Sequence, residues 1–181
     1  MNTTNRFRIR DAYDNERAAI RDLTLAAYAE YANVMSAPAW AALRQALHTA
    51  LNMEEAVECI VAEQDGTLVG SVLLYPPTAN AYGDALARAG WPEVRLLAVL
   101  PGARWQGVGT ALINECMRRA ELIGATALGL HTSESMQVAM RMYERMGFVP
   151  APDYDFGPGG GELVKAYCLS LDRATRDTAG G

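Results

Sequence analysis

A glycine-bearing turn at residues 104–110 is the segment whose residue types and spacing point most directly to chemistry. It reads Arg-Trp-Gln-Gly-Val-Gly-Thr and lies between an apolar run that ends near Leu100 and an amphipathic segment from about Gly107. A chain that turns from strand into helix leaves its first backbone N–H groups unpaired, and these groups, with the helix dipole, bind phosphate. Glycines at 107 and 109 remove Cβ atoms that would keep a pyrophosphate away from the backbone. The segment therefore predicts a diphosphate site.

The spacing after these glycines argues against two common classes of phosphate loop. A Walker A loop needs Lys followed by Ser or Thr after its last glycine, whereas Gly109 is followed by Thr110 and Ala111. A dinucleotide-binding fingerprint needs Gly or Ala at the position held by Leu112, and an acidic residue about 20 residues further on. Nucleotide hydrolysis and dinucleotide binding are thus poor interpretations of the loop.

The loop and two flanking segments together resemble the Gcn5-related N-acetyltransferase family. The pyrophosphate loop of that family reads Gln/Arg-x-x-Gly-x-Gly/Ala, and residues 104–109 match it. Residues 97–101, Leu-Ala-Val-Leu-Pro, are similar to the family's strand and exit proline. Residues 139–148, Ala-Met-Arg-Met-Tyr-Glu-Arg-Met-Gly-Phe, are similar to its Ala-x-x-x-Tyr-Glu-x-x-Gly-Phe helix end. The order of the predicted elements over residues 7–171 is also that of the family.

The resemblance implies an N-acetyltransferase that uses acetyl-CoA and passes the acetyl group directly to a primary amine of a small molecule or peptide. Acetyl-CoA would lie where two parallel strands, residues 94–100 and 127–131, splay apart. A backbone N–H aimed at the thioester carbonyl would then act as an oxyanion hole with one donor. The implied cofactor-binding residues are Leu97, Ala98 and Val99 for the pantetheine arm, and Arg104, Trp105, Gln106, Gly107, Val108, Gly109 and Thr110 for the pyrophosphate.

Two residues match catalytic positions of the family. Tyr143 corresponds to the helix tyrosine that protonates the departing CoA thiolate, and the alternative is a core aromatic residue of an amphipathic helix. Glu93 begins the buried strand, where the histone-acetylating branch of the family has its general base. The alternative for Glu93 is a solvated charge that follows Pro92. Both interpretations of both residues stay open at this point.

Four further residues carry weaker predictions. His131 ends the second splayed strand and either faces the site or only caps the strand, whereas His48 is interpreted as a surface residue. Met136 departs from the family, many members of which have asparagine seven residues before the helix tyrosine, because methionine cannot supply that residue's hydrogen bonds. Trp105 either covers the adenine or packs on the sheet.

The sequence gives fewer signals for the residues that bind the acceptor than for those that bind the donor. By resemblance it is built from the first two helices and from two loops, residues 76–92 and 151–161. Aromatic residues beside carboxylates suit an amine, although most of the candidates are expected to be ordinary core and loop residues. The aromatic candidates are Tyr28, Tyr31, Trp40, Tyr82, Trp91 and Tyr154, and the candidate carboxylates are Glu30, Asp84, Asp153 and Asp155.

The spacing of apolar residues predicts the elements that position these groups. With the resemblance, they predict an α/β (α+β) fold with a mixed, mostly antiparallel sheet of six to seven strands, a splayed parallel pair and about four flanking helices. The predicted strands are 7–9, 59–62, 68–75, 94–100, 127–131, a start at 148–149, and 164–171; the predicted helices run from Asp14 or Asn15 to about 31, from about 38 to 51, from 107 to 123, and from a cap at Ser133 or Ser135 to 147.

Composition bounds the class of protein. The chain has 181 residues, 50% of them apolar and 20% charged, which predicts one domain over residues 1–172 and a disordered tail over 173–181. Sixteen basic and 21 acidic residues give a net charge of −5, which argues against nucleic acid as a partner, and no apolar run is long enough for a membrane span. The three separated cysteines, Cys59, Cys116 and Cys168, predict neither a disulfide framework nor a metal site, and a cytoplasmic location is expected.

Two alternatives concern the protein as a whole. A non-catalytic acyl-CoA sensor or structural subunit with the same fold is the rival to an enzyme, because the same loop and wedge would bind the donor without transfer. Dimers are common in this fold, so a homodimer stays open, although no segment of the sequence predicts one.

Overall fold

The computed structural model describes residues 7–52, 57–77, 90–157 and 163–172. The predicted tail at 173–181 and most of the predicted loop at 76–92 lie outside these ranges. The strands are β1 Arg8–Asp11, β2 Glu58–Gln64, β3 Thr67–Tyr75, β4 Glu93–Val99, β5 Ala127–Ser133, β6 Val149–Pro150 and β7 Val164–Ser170; the α-helices are α1 Arg17–Tyr28, α2 Ala37–Leu51, α3 Val108–Leu122 and α4 Gln137–Arg145.

The strands form one seven-stranded sheet in the order β1-β2-β3-β4-β5-β7-β6. Every neighbouring pair is antiparallel except β4 and β5, which run parallel. The parallel pair lies in the middle of the sheet, so its two strands are not edge strands. This topology confirms the predicted mixed sheet with one parallel pair.

The sheet separates two apolar cores. On one face, α1 and α2 bury Leu23 and Leu47 together with Ala98 of β4. On the other face, α3 and α4 bury Leu112 and Tyr143 against the strands. Because β4 is covered on both faces, its sequence is nearly continuously apolar, as expected of a central strand.

The start of the first helix differs from the prediction. A 3-10 turn over Asp14–Glu16 precedes α1, and the N-cap of α1 is Glu16, so the predicted cap at Asp14 or Asn15 is wrong. Both carboxylate oxygens of Glu16 accept hydrogen bonds from the guanidinium of Arg10, at 2.8 and 2.7 Å. This contact with β1 holds the tighter turn in place, and residue spacing along the helix gives no signal for it.

The starts of α2 and α4 depend on different caps. Ser36 caps α2, since its Oγ accepts a hydrogen bond from the N–H of Ala39 at 3.3 Å. The predicted cap of α4 at Ser133 or Ser135 is wrong, because its N-cap is Met136. The reason is that β5 continues through Ser133, which is paired with β7. Tertiary pairing thus overrides a local capping preference.

An ion-pair network fastens α3 to the edge of the sheet. Glu115 accepts hydrogen bonds from Arg118 at 2.8 and 2.7 Å and from Nε of Arg119 at 2.8 Å. Nη1 of Arg119 also lies 2.6 Å from Oε2 of Glu58 in β2 and 2.6 Å from Oδ1 of Asp11 in β1. The hydrogen bonds from Arg118 first, and from Arg119 next, outweigh partial burial and lower the pKa of Glu115 to about 2.

Glu115→Gln is expected to lower the free energy of unfolding at pH 7 by about 1 kcal/mol, since ion pairs open to solvent are screened. The folded pKa lies below the unfolded one, so the carboxylate stabilises the fold above about pH 4.3, and this contribution is lost as the pH falls toward 2. Urea unfolding at pH 7 and pH 3 measures it. A constant difference between wild type and variant at both pH values would contradict the network, and Asp22→Asn, at an exposed pair, is the matched control.

Candidate active site

A wedge opens between β4 and β5. The parallel register pairs only Glu93 with Gly129 and Val94 with Leu130, and the two strands then diverge. The divergence begins where Leu96 adopts a φ of +48°, a left-handed value that bends β4. The register with β3 shifts at this place and then continues to the end of β4, so β4 stays with β3 and leaves β5. The structure therefore has the splayed pair that the sequence predicted.

Alternate backbone groups of β4 face the wedge. The N–H of Leu100 donates to the carbonyl of Val69 at 2.9 Å, and Ala98 pairs with Ser71, so these two residues of the strand direct their backbone groups to β3. In an antiparallel ladder the intervening residues direct theirs to the opposite edge. Leu97 and Val99 therefore present backbone groups toward β5, at the place where β5 has moved away.

Arg104 fastens the exit of β4 to α1. Its Nε donates to the carbonyl of Val99 at 3.2 Å, Nη2 donates to the carbonyl of Ala27 at 3.1 Å, and Nη1 donates to the carboxylate of Glu30 at 2.8 Å. The guanidinium is thus held by three groups of the protein. Arg104, the residue of the motif with a positive charge, therefore has partners within the protein for Nε, Nη1 and Nη2.

The N-terminus of α3 presents unpaired donors. Gly107 is its N-cap with a φ of +83°, a conformation that glycine adopts without strain. The first hydrogen bond of the helix runs from the N–H of Ala111 to the carbonyl of Gly107 at 2.9 Å. The N–H groups of Val108, Gly109 and Thr110 precede it and have no acceptor within the helix. Together with the helix dipole they form a site suited to a pyrophosphate.

Gly109 and Trp105 have different environments in the loop. A Cβ at Gly109 would lie 3.2 Å from the sulfur of Met142, so this glycine lets α3 approach α4 closely. Trp105 has a φ of +64° and is 85% exposed. The interpretation that Trp105 packs on the sheet is therefore wrong, and its indole is free to cover a bound base.

Tyr143 of α4 lies in the core formed by α3, α4 and the sheet. Its side chain is buried, and its ring centroid lies 5.8 Å from that of Phe148. Burial, more than the neighbouring Tyr31 and Cys116, raises the pKa of Tyr143 well above the ordinary tyrosine value. The phenol therefore keeps its proton throughout the physiological range and is available as a donor.

Glu93 belongs to a buried cluster of three polar side chains. Its Oε1 accepts a hydrogen bond from Nε of Arg95 at 3.1 Å and lies 3.0 Å from Nδ1 of His131. The other ring nitrogen of His131 lies 3.2 Å from the carbonyl oxygen of Tyr154. Glu93 is only 8% exposed, so the interpretation as a solvated charge is wrong. His131 joins β4 to the loop that contains Tyr154.

Sequence reasoning missed Arg95. Its guanidinium carbon lies 4.5 Å from the ring centroid of Tyr75, a cation–π distance, and its side chain is buried. A signal was present, because residues two apart on a strand share a face, which places Arg95 beside Glu93. A charged residue within an apolar strand also calls for a partner.

A cavity of about 150 Å³ adjoins the wedge on the α2 side. It has apolar walls from α2 and the sheet, with polar groups on the strands. Its lining residues are Tyr28, Met35, Ala39, Ala42, Leu43, Ala46, Arg95, Leu96, His131, Thr132, Ser133, Met136, Phe156 and Val164. The hydroxyl of Thr132 is buried and makes no hydrogen bond with any residue in the described ranges. Met136, the departure from the family, contributes a thioether to this wall.

The predicted acceptor residues are only partly brought together. Tyr28 lines the cavity, and Trp91 lies against Gly129 with its ring 4.9 Å from that of Tyr154. Two of the predicted carboxylates serve the protein itself: that of Glu30 binds Arg104, and that of Asp155 accepts the N–H of Ala166 at 2.7 Å. Asp153 and the predicted surface residue His48 are exposed, and Tyr82 and Asp84 lie outside the described residues.

Comparison with known proteins places the chain. The model of the acetyltransferase (GNAT) family matches residues 17–148. The chain belongs to this family. An S-(2-succino)cysteine N-acetyltransferase of Bacillus subtilis is 27% identical over 155 residues, which cover 84% of this chain and 90% of that protein.

Two solved structures share the fold of this GNAT chain. An acetyltransferase from Brucella melitensis, in complex with acetyl-CoA, is 24% identical with a TM-score of 0.57 and covers 92% of this chain and 88% of its own. An N-acetyltransferase from Staphylococcus aureus is 17% identical with a TM-score of 0.64 and covers 92% of this chain and 99% of its own. These matches confirm the predicted family, fold and enzyme class, an acyltransferase. Within the described ranges, no helix is both long and apolar enough to cross a membrane.

Proposed function

We propose that this GNAT protein transfers the acetyl group of acetyl-CoA to a primary amine of a small molecule or peptide by direct attack. The observation that carries the proposal is the wedge between β4 and β5 together with the unpaired N-terminus of α3. The wedge offers an unpaired strand edge, and the helix offers N–H groups for a diphosphate. A long cofactor with amides at one end and phosphates at the other fits both.

The donor-binding roles follow from the direction of the backbone groups. The wedge-facing groups of Leu97 and the N–H of Val99 pair with the pantetheine amides, as an added strand would, while the carbonyl of Val99 accepts from Arg104. The N–H groups of Val108, Gly109 and Thr110 hold the pyrophosphate. Acetyl-CoA supplies a thioester, which is an activated acyl group. A wedge-facing N–H of β4 donates to the thioester carbonyl oxygen, where negative charge develops as the amine attacks.

The amine nitrogen loses two protons in the proposed reaction, one before it attacks the thioester carbon and one after. The attacking ammonium must lose a proton to become a nucleophile, and Glu93 accepts that proton, directly or through a water molecule. The contacts of Oε1 with Arg95 and His131 hold the carboxylate in place for this role. The tetrahedral intermediate then passes its second N–H proton to solvent, and the carbon–sulfur bond breaks with its electron pair going to sulfur. The Tyr143 hydroxyl donates a hydrogen bond to that sulfur until the thiolate takes up a proton from solvent. Since the pKa of Tyr143 is raised by burial, the phenol stabilises the leaving thiolate chiefly as a hydrogen-bond donor.

We propose an amine as the acceptor because the family consists of acetyltransferases and the relative from Bacillus subtilis is named an N-acetyltransferase. A cytoplasmic location is proposed as well. It is supported by the three cysteines, which are free thiols in the structure, and by burial of the Cys116 side chain.

Release of free CoA from acetyl-CoA on a panel of amines tests the proposed function. An enzyme gives release that depends on both the amine and the protein, and mass spectrometry then shows the amine gaining an acetyl group. Binding of acetyl-CoA without release by any amine would favour the non-catalytic acyl-CoA sensor instead. Absence of acetyl-CoA binding would contradict both alternatives.

A further inference from the structure

We propose, resting on the function above, that the acceptor is a primary amine bearing one uncharged apolar group of about isobutyl or phenyl size. The cavity between α2 and the wedge, defined by the lining residues above, holds that group. Its volume of about 150 Å³ and its largely aliphatic and aromatic lining are those of a space that accommodates a benzene-sized molecule.

The outer wall of the cavity is one face of α2. Ala39, Ala42, Leu43 and Ala46 line it, and their spacing of three, four and seven residues places them on one side of the helix. Three of these four side chains are methyl groups, so the helix leaves room that larger residues would fill. An apolar face with small residues turned toward a cavity is a binding wall for an apolar group.

The inner wall lies where the strands diverge. Leu96, Thr132 and Ser133 line the cavity directly beyond the last paired residues of β4 and β5. The apolar space therefore opens at the wedge, where the thioester is proposed to lie. An amine held there has its nitrogen next to the reacting carbon and its side group under α2. The buried hydroxyl of Thr132 provides a hydrogen-bonding group beside that nitrogen.

The charges around the cavity argue against a polycationic acceptor. None of the residues lining it in the described ranges is Asp or Glu, and the charged side chain among them is Arg95. Glu93 is not part of the lining, and its Oε1 is bound to Arg95 and faces His131. A second ammonium on the acceptor would meet a guanidinium and apolar carbon rather than a carboxylate, which is unfavourable. A polyamine is therefore a poor occupant.

The first test compares three amines as acceptors in steady-state CoA release: ethylamine, 3-methylbutylamine and 1,4-diaminobutane. Each methylene buried is worth about a fourfold gain, so three added carbons predict a kcat/KM about sixtyfold higher for 3-methylbutylamine than for ethylamine. The diamine is expected to fall below 3-methylbutylamine. Preference for the diamine, or equal values for all three, would overturn the proposal.

The second test fills the cavity. Ala42→Leu is expected to lower kcat/KM for 3-methylbutylamine at least tenfold and to change that for ethylamine less than threefold, with KM for acetyl-CoA unchanged. Ala41→Leu is the matched control, because Ala41 is the neighbouring exposed residue of α2 and does not line the cavity. Ala46→Leu repeats the test from the exposed end of the same face. Equal losses for both amines, or a raised KM for acetyl-CoA, would contradict the assignment.

Direct binding separates this inference from the proposed function. Calorimetry measures 3-methylbutylamine binding to the complex of the protein with CoA. Binding that Ala42→Leu abolishes, in a protein that releases no CoA with any amine, would uphold the cavity and refute acetyl transfer. Release of CoA with polar amines, without binding of 3-methylbutylamine, would refute the cavity and uphold transfer.

Discussion

Tyr143→Phe is expected to lower kcat about a hundredfold and to leave the Kd for acetyl-CoA within about twofold. The variant removes only the hydroxyl that donates to the leaving sulfur, an interaction made in the transition state, so kcat falls without loss of donor binding. The ring contact with Phe148 is kept, and the melting temperature should therefore change little. Stopped-flow or steady-state CoA release, with calorimetric titration of acetyl-CoA, measures both quantities.

Tyr167→Phe is the matched control for this experiment. The Tyr167 hydroxyl donates to Oε1 of Glu144 at 3.2 Å and does not line the cavity, so its loss should leave kcat unchanged.

The raised pKa of Tyr143 adds a second expectation, for the pH dependence of kcat. The neutral phenol persists as the pH rises, so Tyr143 contributes no loss of kcat up to about pH 10. Wild-type turnover in Tyr143→Phe would refute the proposed role of the Tyr143 hydroxyl as a hydrogen-bond donor to the leaving sulfur.

Glu93→Gln is expected to lower kcat about a hundredfold and the free energy of unfolding by about 3 kcal/mol. The first effect comes from the loss of the proton acceptor. The second comes from Arg95, whose buried guanidinium loses its neutralising partner, and breaking one side of a buried ion pair is strongly destabilising. Steady-state kinetics and urea unfolding measure the two effects separately.

The double variant Glu93→Gln/Arg95→Met distinguishes catalysis from positioning. Removing the guanidinium as well removes the buried charge that Glu93 neutralised, so most of the lost stability should return. If Glu93 accepts the proton of the amine, kcat stays low in the double variant. Recovery of kcat together with stability would show that Glu93 only holds Arg95 and His131 in place.

Features that depend on a short stretch of chain were predictable from the sequence. The sequence predicted helix ends at 123 and 147 because a left-handed glycine often ends a helix, and the φ values of Gly124 and Gly147 are +74° and +92°. The amphipathic run before Gly124 and the apolar run of β4 define their own elements, since burial of one or both faces imposes the period. The family motif combines these local features.

Features that depend on contacts between distant segments were not predictable. The protein partners of the Arg104 guanidinium are the carbonyl of Ala27 in α1 and the carboxylate of Glu30 just beyond α1, which lie more than 70 residues away in the chain. The contact of His131 with Glu93 requires the parallel register that pairs Glu93 with Gly129. The cavity exists because α2 packs across the diverging strands, and no single segment contains that information.

The net charge of the chain and its proposed cofactor have the same sign. The proposed pyrophosphate site is compatible with a net charge of −5, because oriented N–H groups at the start of a helix bind an anion locally.

A crystal structure of the protein with acetyl-CoA would test the proposed donor site between β4, β5 and the start of α3. We expect the pyrophosphate on the N–H groups of Val108, Gly109 and Thr110, and the thioester carbonyl between β4 and β5. We expect the sulfur within hydrogen-bond reach of the Tyr143 hydroxyl. A pyrophosphate bound away from the start of α3, or a pantetheine arm outside the wedge, would contradict it.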